Sequence, residues 1–193
     1  MSDSHALLYS RRVFDATLSW YGNADTKAQV ILTLDGAFLA FLTNAVFMDR
    51  AAFVEILDTF GPETWLLAAV LCMTLACSIL SAAACLHSRL DADKAIHAMF
   101  EATGVDIGNA ATYTPQSMLF FQPISRLDEH ELAQALARVD ENFEIRGLAH
   151  ELLVLSKNVN AKHRWVNRGF ACAGASLLLL LSVAVSYVSR LVG

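Results

Sequence analysis

Few residues of this chain are arranged for bond-making chemistry. His150-Glu151 opens like the zinc-protease pattern of two histidines four apart, but Val154 stands where the second histidine must be. Cys72, Cys77, Cys85 and Cys172 form no CxxC pair and no disulfide framework, and read as small apolar packing residues. There is no Gly-rich phosphate loop and no GxSxG, so we expect no enzyme, no metal and no cofactor. Two charged features remain. Asp35 sits in an apolar stretch about 12 Å along a helix from Lys27 at 1.5 Å per residue. A carboxylate at that depth faces other helices or water and is a functional candidate, or pairs with Ser or Thr hydroxyls. A ring of charge, Asp25 and Lys27 with Lys157, Lys162 and Arg164, flanks two apolar runs. Positive-inside anchoring accounts for the lysines but not for Asp25, which is a cost unless paired; Lys162 is its expected partner.

The elements that must position these groups follow from where the apolar residues lie. The chain has 193 residues, 55% hydrophobic and 17% charged, with a mean hydropathy of +0.44. Typical globular domains are near 45–50% apolar and about 25% charged. The excess is gathered into three runs, 28–48, 65–86 and 169–188. The second and third contain no charged residue; the first contains Asp35 alone. Roughly 20 apolar residues cross a ~30 Å hydrocarbon core as a helix. The expected fold class is therefore an all-α membrane protein with three transmembrane helices whose cytoplasmic extensions form a small helical bundle.

Basic residues set the expected sidedness. Arg11, Arg12 and Lys27 precede the first run, Arg89 and Lys94 follow the second, and Lys157, Lys162, Arg164 and Arg168 precede the third. Only Arg50 and Arg190 of the 14 lysines and arginines fall on the opposite side. Lys and Arg are retained in the cytoplasm. The expected layout is a cytoplasmic amphipathic helix at 1–27, a first span at 28–48 and an external loop at 49–64. A second span at 65–86, a cytoplasmic helical region at 87–168, a third span at 169–188 and an external tail at 189–193 complete it. His5 is not followed by a signal-peptide apolar region.

Within the cytoplasmic region, residues 87–101 are expected to continue the second span as a helix. Thr103–Gln122 reads as a loop. Asp128 with Glu131 forms a capping box opening a helix to about Val139, and a helical pattern from Glu141 runs without Pro into the third span. Small residues four apart predict close packing: Gly36, Ala40 and Asn44; Cys77, Ser81 and Cys85; Gly169 and Ala173, with Cys172 and Ser176. This spacing fits packing within a chain and association between chains alike. The net charge of −5 and the lack of a basic stripe argue against nucleic acid as a partner.

Ala24-Asp25-Thr26-Lys27-Ala28 resembles the Ala-Asp-x-Lys-Ala motif of the Pycsar effector transmembrane family. The later blocks Leu119-Phe120-Phe121 with Ile124, and Leu155-Ser156 followed by Lys162-His163, are similar to that family in order and placement. His163 stands where an aromatic residue is common, and Asp35-Gly36 where a neutral polar residue is usual. The resemblance implies an effector acting downstream of a nucleotide cyclase in bacterial anti-phage defence. Such an effector senses a cyclic pyrimidine nucleotide (cUMP or cCMP) in its cytoplasmic region and impairs the inner membrane. The implied partners are that ligand, the lipid bilayer, the cyclase as a functional partner, and further copies in a homo-oligomer. Nucleotide recognition needs a cation or helix N-terminus for the phosphate and an aromatic face for the base. The candidates are Arg126, Lys157, Lys162, Arg164 and the helix start at Asp128 for the former, and Tyr113, Phe120, Phe121 and Trp165 for the latter. Two other readings stand beside it: a non-catalytic membrane scaffold docking a partner protein, and a small transporter resting on Asp35.

Overall fold

A computed structural model describes residues 4–48, 50–87, 124, 127–137 and 139–192. Among them the chain is helical throughout. The order is α1 (His5–Met48), α2 (Arg50–Asp58), α3 (Pro62–Leu86), α4 (Glu129–Ala137) and α5 (Glu141–Val192). The amphipathic N-terminal segment and the first apolar run are thus one helix of 44 residues, and the third apolar run is the end of a 52-residue helix.

Local chemistry explains the boundaries. α2 occupies much of the expected external loop, and Gly61-Pro62 restarts the chain, with Pro62 in the first turn of α3, where its missing N–H costs nothing. The capping box is present: Asp128 Oδ1 accepts from the Glu131 N–H at 2.8 Å, and a Glu131 carboxylate oxygen accepts from the Asp128 N–H at 3.1 Å. Asp140 caps α5 from one side only, its Oδ1 accepting from the Phe143 N–H at 2.6 Å. One expectation fails: α3 ends at Leu86. His87 adopts an extended conformation (ψ 117°) and closes the helix with its N–H on the Ala83 carbonyl, so the second span does not continue helically into residue 87. The remainder of that expected helix, and the loop Thr103–Gln122, lie outside the described residues.

The chain divides into two compact units. The first comprises Met1–Gly22 and Ser88–Asn160, the second Asn23–His87 and Ala161–Gly193. In the first, α1 buries Leu7 and Thr17 and α5 buries Leu148 and Val159, while α4 buries no residue fully. Arg11 fixes α1 to α5 by a two-pronged bond to Glu144, at 2.6 and 2.9 Å, and the Ser4 hydroxyl reaches Glu141.

The second unit is a three-helix packing of α1, α3 and α5. Its buried stripes are Ala24, Ala28, Ile31 and Asp35 on α1, then Leu71, Leu75, Ser78, Ala82 and Cys85 on α3. On α5 the stripe is Lys162, Val166, Ala173 and Ser176. Steps alternating between three and four residues keep each stripe on one face, the spacing of left-handed helix packing. Ala24, Ala28, Ile31, Ala82, Cys85 and Val166 form the central cluster, edged by Leu32, Leu86 and Trp165. The expected α1 stripe of Gly36, Ala40 and Asn44 is exposed instead, because one residue of offset turns a helix face by about 100°. On α5, Gly169 is the point of close approach: a methyl there would stand 3.0 Å from the Ile31 side chain and 3.7 Å from the Ser78 carbonyl. Two described helices, α3 and α5, are long and apolar enough to cross a membrane, with mean hydropathies of 2.3 and 2.1 over their most apolar windows.

Candidate functional site

Polar side chains on these buried stripes meet one another in layers. At one end of the second unit, Lys162 of α5 donates to Asp25 Oδ1 of α1. The lysine side chain is 11% exposed and the aspartate 30%. This is the expected pairing, and α1 geometry explains its selectivity. Residues two apart on a helix do not face each other, so Lys27 cannot serve Asp25. Lys27 is exposed and has no ion pair among the described residues. Nearby, the Cys85 thiol is 3.8 Å from the Ala24 carbonyl oxygen.

Farther along the same helices, Asp35 is 3% exposed and its Oδ2 accepts from the Ser78 hydroxyl at 2.7 Å. That hydroxyl is also 3.1 Å from the Gly169 carbonyl oxygen, so one serine ties α3 to both α1 and α5. The next layer is Ser176 donating to Thr74 at 3.0 Å. At the far end, the Thr64 and Ser186 hydroxyls are 2.7 Å apart and Arg190 Nε donates to Glu63 at 3.0 Å. The Phe60 ring lies edge-on to Trp65 and Tyr187, with centroids 5.6 and 6.2 Å away. Of these contacts only the Asp25 pair, and hydroxyls as partners of Asp35, were legible in advance. Ser and Thr are equally content bonding their own backbone four residues back, so no sequence signal marks which hydroxyls cross between helices.

A cleft of about 250 Å³ adjoins Asp35, between Leu34 and Phe38 on α1 and Phe170, Ala173, Gly174 and Leu177 on α5. Beyond Asp35, α1 contributes no fully buried side chain among its described residues.

The nucleotide candidates fare unequally. Lys162 is buried on Asp25, whereas Lys157 and Arg164 are exposed. Trp165 has one ring face covered by the Arg168 guanidinium, 5.2 Å from its centroid. The helix start at Asp128 is sealed by its own capping box and carries Glu129 and Glu131 in the first turn, charges that repel a phosphate. Arg126, Tyr113, Phe120 and Phe121 lie outside the described residues. In the first unit, hydrogen bonds from Arg11 hold the Glu144 carboxyl below its ordinary value. Burial pushes the Glu151 carboxyl up.

No curated relative and no solved structure matches the chain. A family model described as the Pycsar effector protein domain matches residues 9–189, a stretch that includes Asp25, Lys27, Asp35 and Lys162 together with α3 and nearly all of α5. The chain belongs to the Pycsar effector family.

Proposed function

We propose that this chain is an anti-phage effector that senses cUMP or cCMP at the cytoplasmic side and impairs the bacterial inner membrane, arresting growth or killing the cell. The observation that carries the reading is the family match over residues 9–189, within which the motif aspartate Asp25 is engaged by Lys162. The reading places three spans in the membrane, α3 and the apolar parts of α1 and α5. The N-terminus is then cytoplasmic and the C-terminus periplasmic, as the basic residues require. The protein acts without catalysis and as a homo-oligomer, since three spans enclose no wide path. A nucleotide cyclase supplies its signal.

A ligand that prefers one of two conformations shifts their populations. In this reading the region 87–168 is the sensor. Arg126, Lys157 and Arg164 are the proposed phosphate contacts, and Tyr113, Phe120 and Phe121 the proposed base contacts. The long helices α1 and α5 contribute residues to both units, which gives a ligand a covalent route to the spans.

The test is thermal unfolding of the purified full-length protein in detergent with cUMP, cCMP, and cyclic AMP as control. At a hundredfold excess over the dissociation constant a ligand stabilises by about 2.7 kcal/mol, a shift of several degrees. Stabilisation by a pyrimidine nucleotide and not by cyclic AMP is expected. No shift with either pyrimidine nucleotide, together with recovery of a stoichiometric protein partner, would replace this reading with the scaffold.

A further inference from the structure

The polar layers of the second unit form a seam along one face of α3, interrupted by the buried Leu71 between Thr74 and Thr64. Along α3 it runs from Ser81 through Ser78 and Thr74 to Thr64, which at 1.5 Å per residue is about 25 Å, close to a hydrocarbon core. Three of its hydroxyls meet another helix: Ser78 meets Asp35, Thr74 meets Ser176, and Thr64 meets Ser186. Ion pairs close both ends, Asp25 with Lys162 and Glu63 with Arg190. Ser and Thr also bond across helices that merely pack in lipid, so the hydroxyls alone mark no path. The ionisable Asp35 is the stronger sign, because carboxylates inside a span line ion pathways and proton relays.

Resting on the membrane-impairing reading above, we propose that this seam is a latent conduction path for monovalent cations and that Asp35 selects their charge. Between Lys162 and Thr64, Asp35 is the single acidic or basic residue on the buried faces among the described residues. Its carboxylate lies in a stretch otherwise lined by neutral hydroxyls, so it attracts cations and repels anions. In the closed form Ser78, Thr74 and Thr64 are held by partners on α1 and α5. Hydroxyls both donate and accept, so they exchange these partners for water or a cation without leaving a buried group unsatisfied.

The packing also identifies the wall that moves. α3 and α5 are fastened to each other along the seam by Thr74–Ser176 and Thr64–Ser186. α1 is held by Asp25, the alanine cluster and Asp35, and past Asp35 none of its described side chains is fully buried. The cleft beside Asp35 and Phe38 already separates α1 from α5 there. Displacing only the part of α1 beyond Asp35 therefore leaves the central cluster in place and opens the seam at its one charge.

The experiment uses full-length protein in phosphatidylethanolamine–phosphatidylglycerol vesicles with a KCl gradient, with current triggered by cUMP or cCMP and selectivity read from the reversal potential. Wild type is expected to pass potassium over chloride by at least about tenfold, the behaviour of a carboxylate-lined path. Asp35→Asn should bring the ratio near one, and Asp35→Glu should keep it. A wild-type ratio near one, release of a bulky anionic dye at the potassium rate, or an unchanged ratio in a helical Asp35→Asn variant each overturns the proposal. If Asp35→Asn does not fold, the wild-type ratio decides. No current with either nucleotide overturns the membrane-impairing reading itself and this path with it, whereas unselective current overturns the path alone.

Discussion

Lys162 of α5 closes an ion pair on Asp25 of α1 across 137 positions of sequence, with nine-tenths of the lysine side chain removed from solvent. The lysine is buried one turn from Val166 on the same helix face while its ammonium reaches the carboxylate, which holds α1 and α5 in one register. Removing one partner of a buried pair leaves the other charge uncompensated, a cost of 3–5 kcal/mol when both are buried.

Because Asp25 keeps some solvent contact, Lys162→Met should destabilise the protein by roughly 2–3 kcal/mol, below that range. Asp25→Asn should cost at least as much, since it leaves the more buried ammonium facing only an amide oxygen. A double-mutant cycle by chemical unfolding in detergent should return a coupling above about 1 kcal/mol. Additive losses would mean that the two side chains do not interact in the folded protein.

Ser78 is the hub of the Asp35 layer, and its replacement separates its role from that of a generic small residue. Ser78→Ala removes the donor to a buried carboxylate and should cost about 2–3 kcal/mol, the range for hydrogen bonds to charged groups. Ser176→Ala breaks a neutral hydroxyl pair and should cost only about 1 kcal/mol. Equal losses would show that Asp35 draws nothing from Ser78. Both variants keep the helix and its volume, so thermal unfolding compares them directly.

What the sequence made legible, and what it hid, divides along physical lines. Periodicity located α1, α3 and α5, and capping chemistry located Asp128 with its Glu131 partner, because both signals are local. The Asp25–Lys162 contact was legible for another reason: an acidic residue at a basic membrane boundary has few tolerable partners. The face of α1 was not legible. Ala24, Ala28 and Ile31 compete with Gly36 and Ala40, all small or apolar, and only the packed neighbours decide. Nor was the break at His87, where neither Gly nor Pro interrupts the helical pattern. The Arg11–Glu144 and Thr64–Ser186 contacts were hidden because long-range pairing of common residue types carries no sequence mark.

The glycines of the spans should separate by position. A methyl at Gly36 or Gly174 meets nothing within 4 Å, so Ala at either site should stabilise the monomer by about 0.5–1 kcal/mol through helix propensity. Gly169 is different: Ala presses only on the flexible end of Ile31 and should be close to neutral, whereas Val there also crowds the α3 backbone and should cost about 1–3 kcal/mol. Unfolding of the four variants in detergent checks the ordering. A loss of stability at Gly36→Ala would show that another copy occupies that face.

Two carboxyls of the first unit should give opposite pH responses. Arg11 holds Glu144 below its ordinary value of 4.5, so this pair contributes stability above that pH, which is lost as pH falls through the depressed value. Arg11→Ala should therefore lower the unfolding temperature at about pH 7, by the ~0.5–1 kcal/mol of a surface pair, with an effect that fades as pH falls through the depressed value. Burial raises Glu151 above the same reference, so its contribution is complete below pH 4.5 and is lost as pH rises through the raised value. Glu151→Gln should then stabilise at neutral pH and be silent in acid. A single Arg11→Ala, Glu151→Gln and wild-type melting series across that range tests both signs at once.

The number of spans is fixed by where the two ends of the chain lie. α3 and α5 alone would return the chain to the side where it entered, whereas a third crossing by α1 puts Ser4 and Val192 on opposite sides. α1 carries Asp35 within its apolar stretch, and a lipid-facing carboxylate would be costly. Buried on Ser78 at 3% exposure, it is shielded, which removes the main objection to α1 as a span. Green fluorescent protein fused before residue 1 should therefore fluoresce in the cytoplasm, and alkaline phosphatase fused after Val192 should be active in the periplasm. Moving the phosphatase to the loop after Met48 should also give activity, because that loop carries Arg50 against Glu55, Asp58 and Glu63. An inactive fusion after Val192 with an active one after Met48 would leave two crossings and exclude α5 as the third.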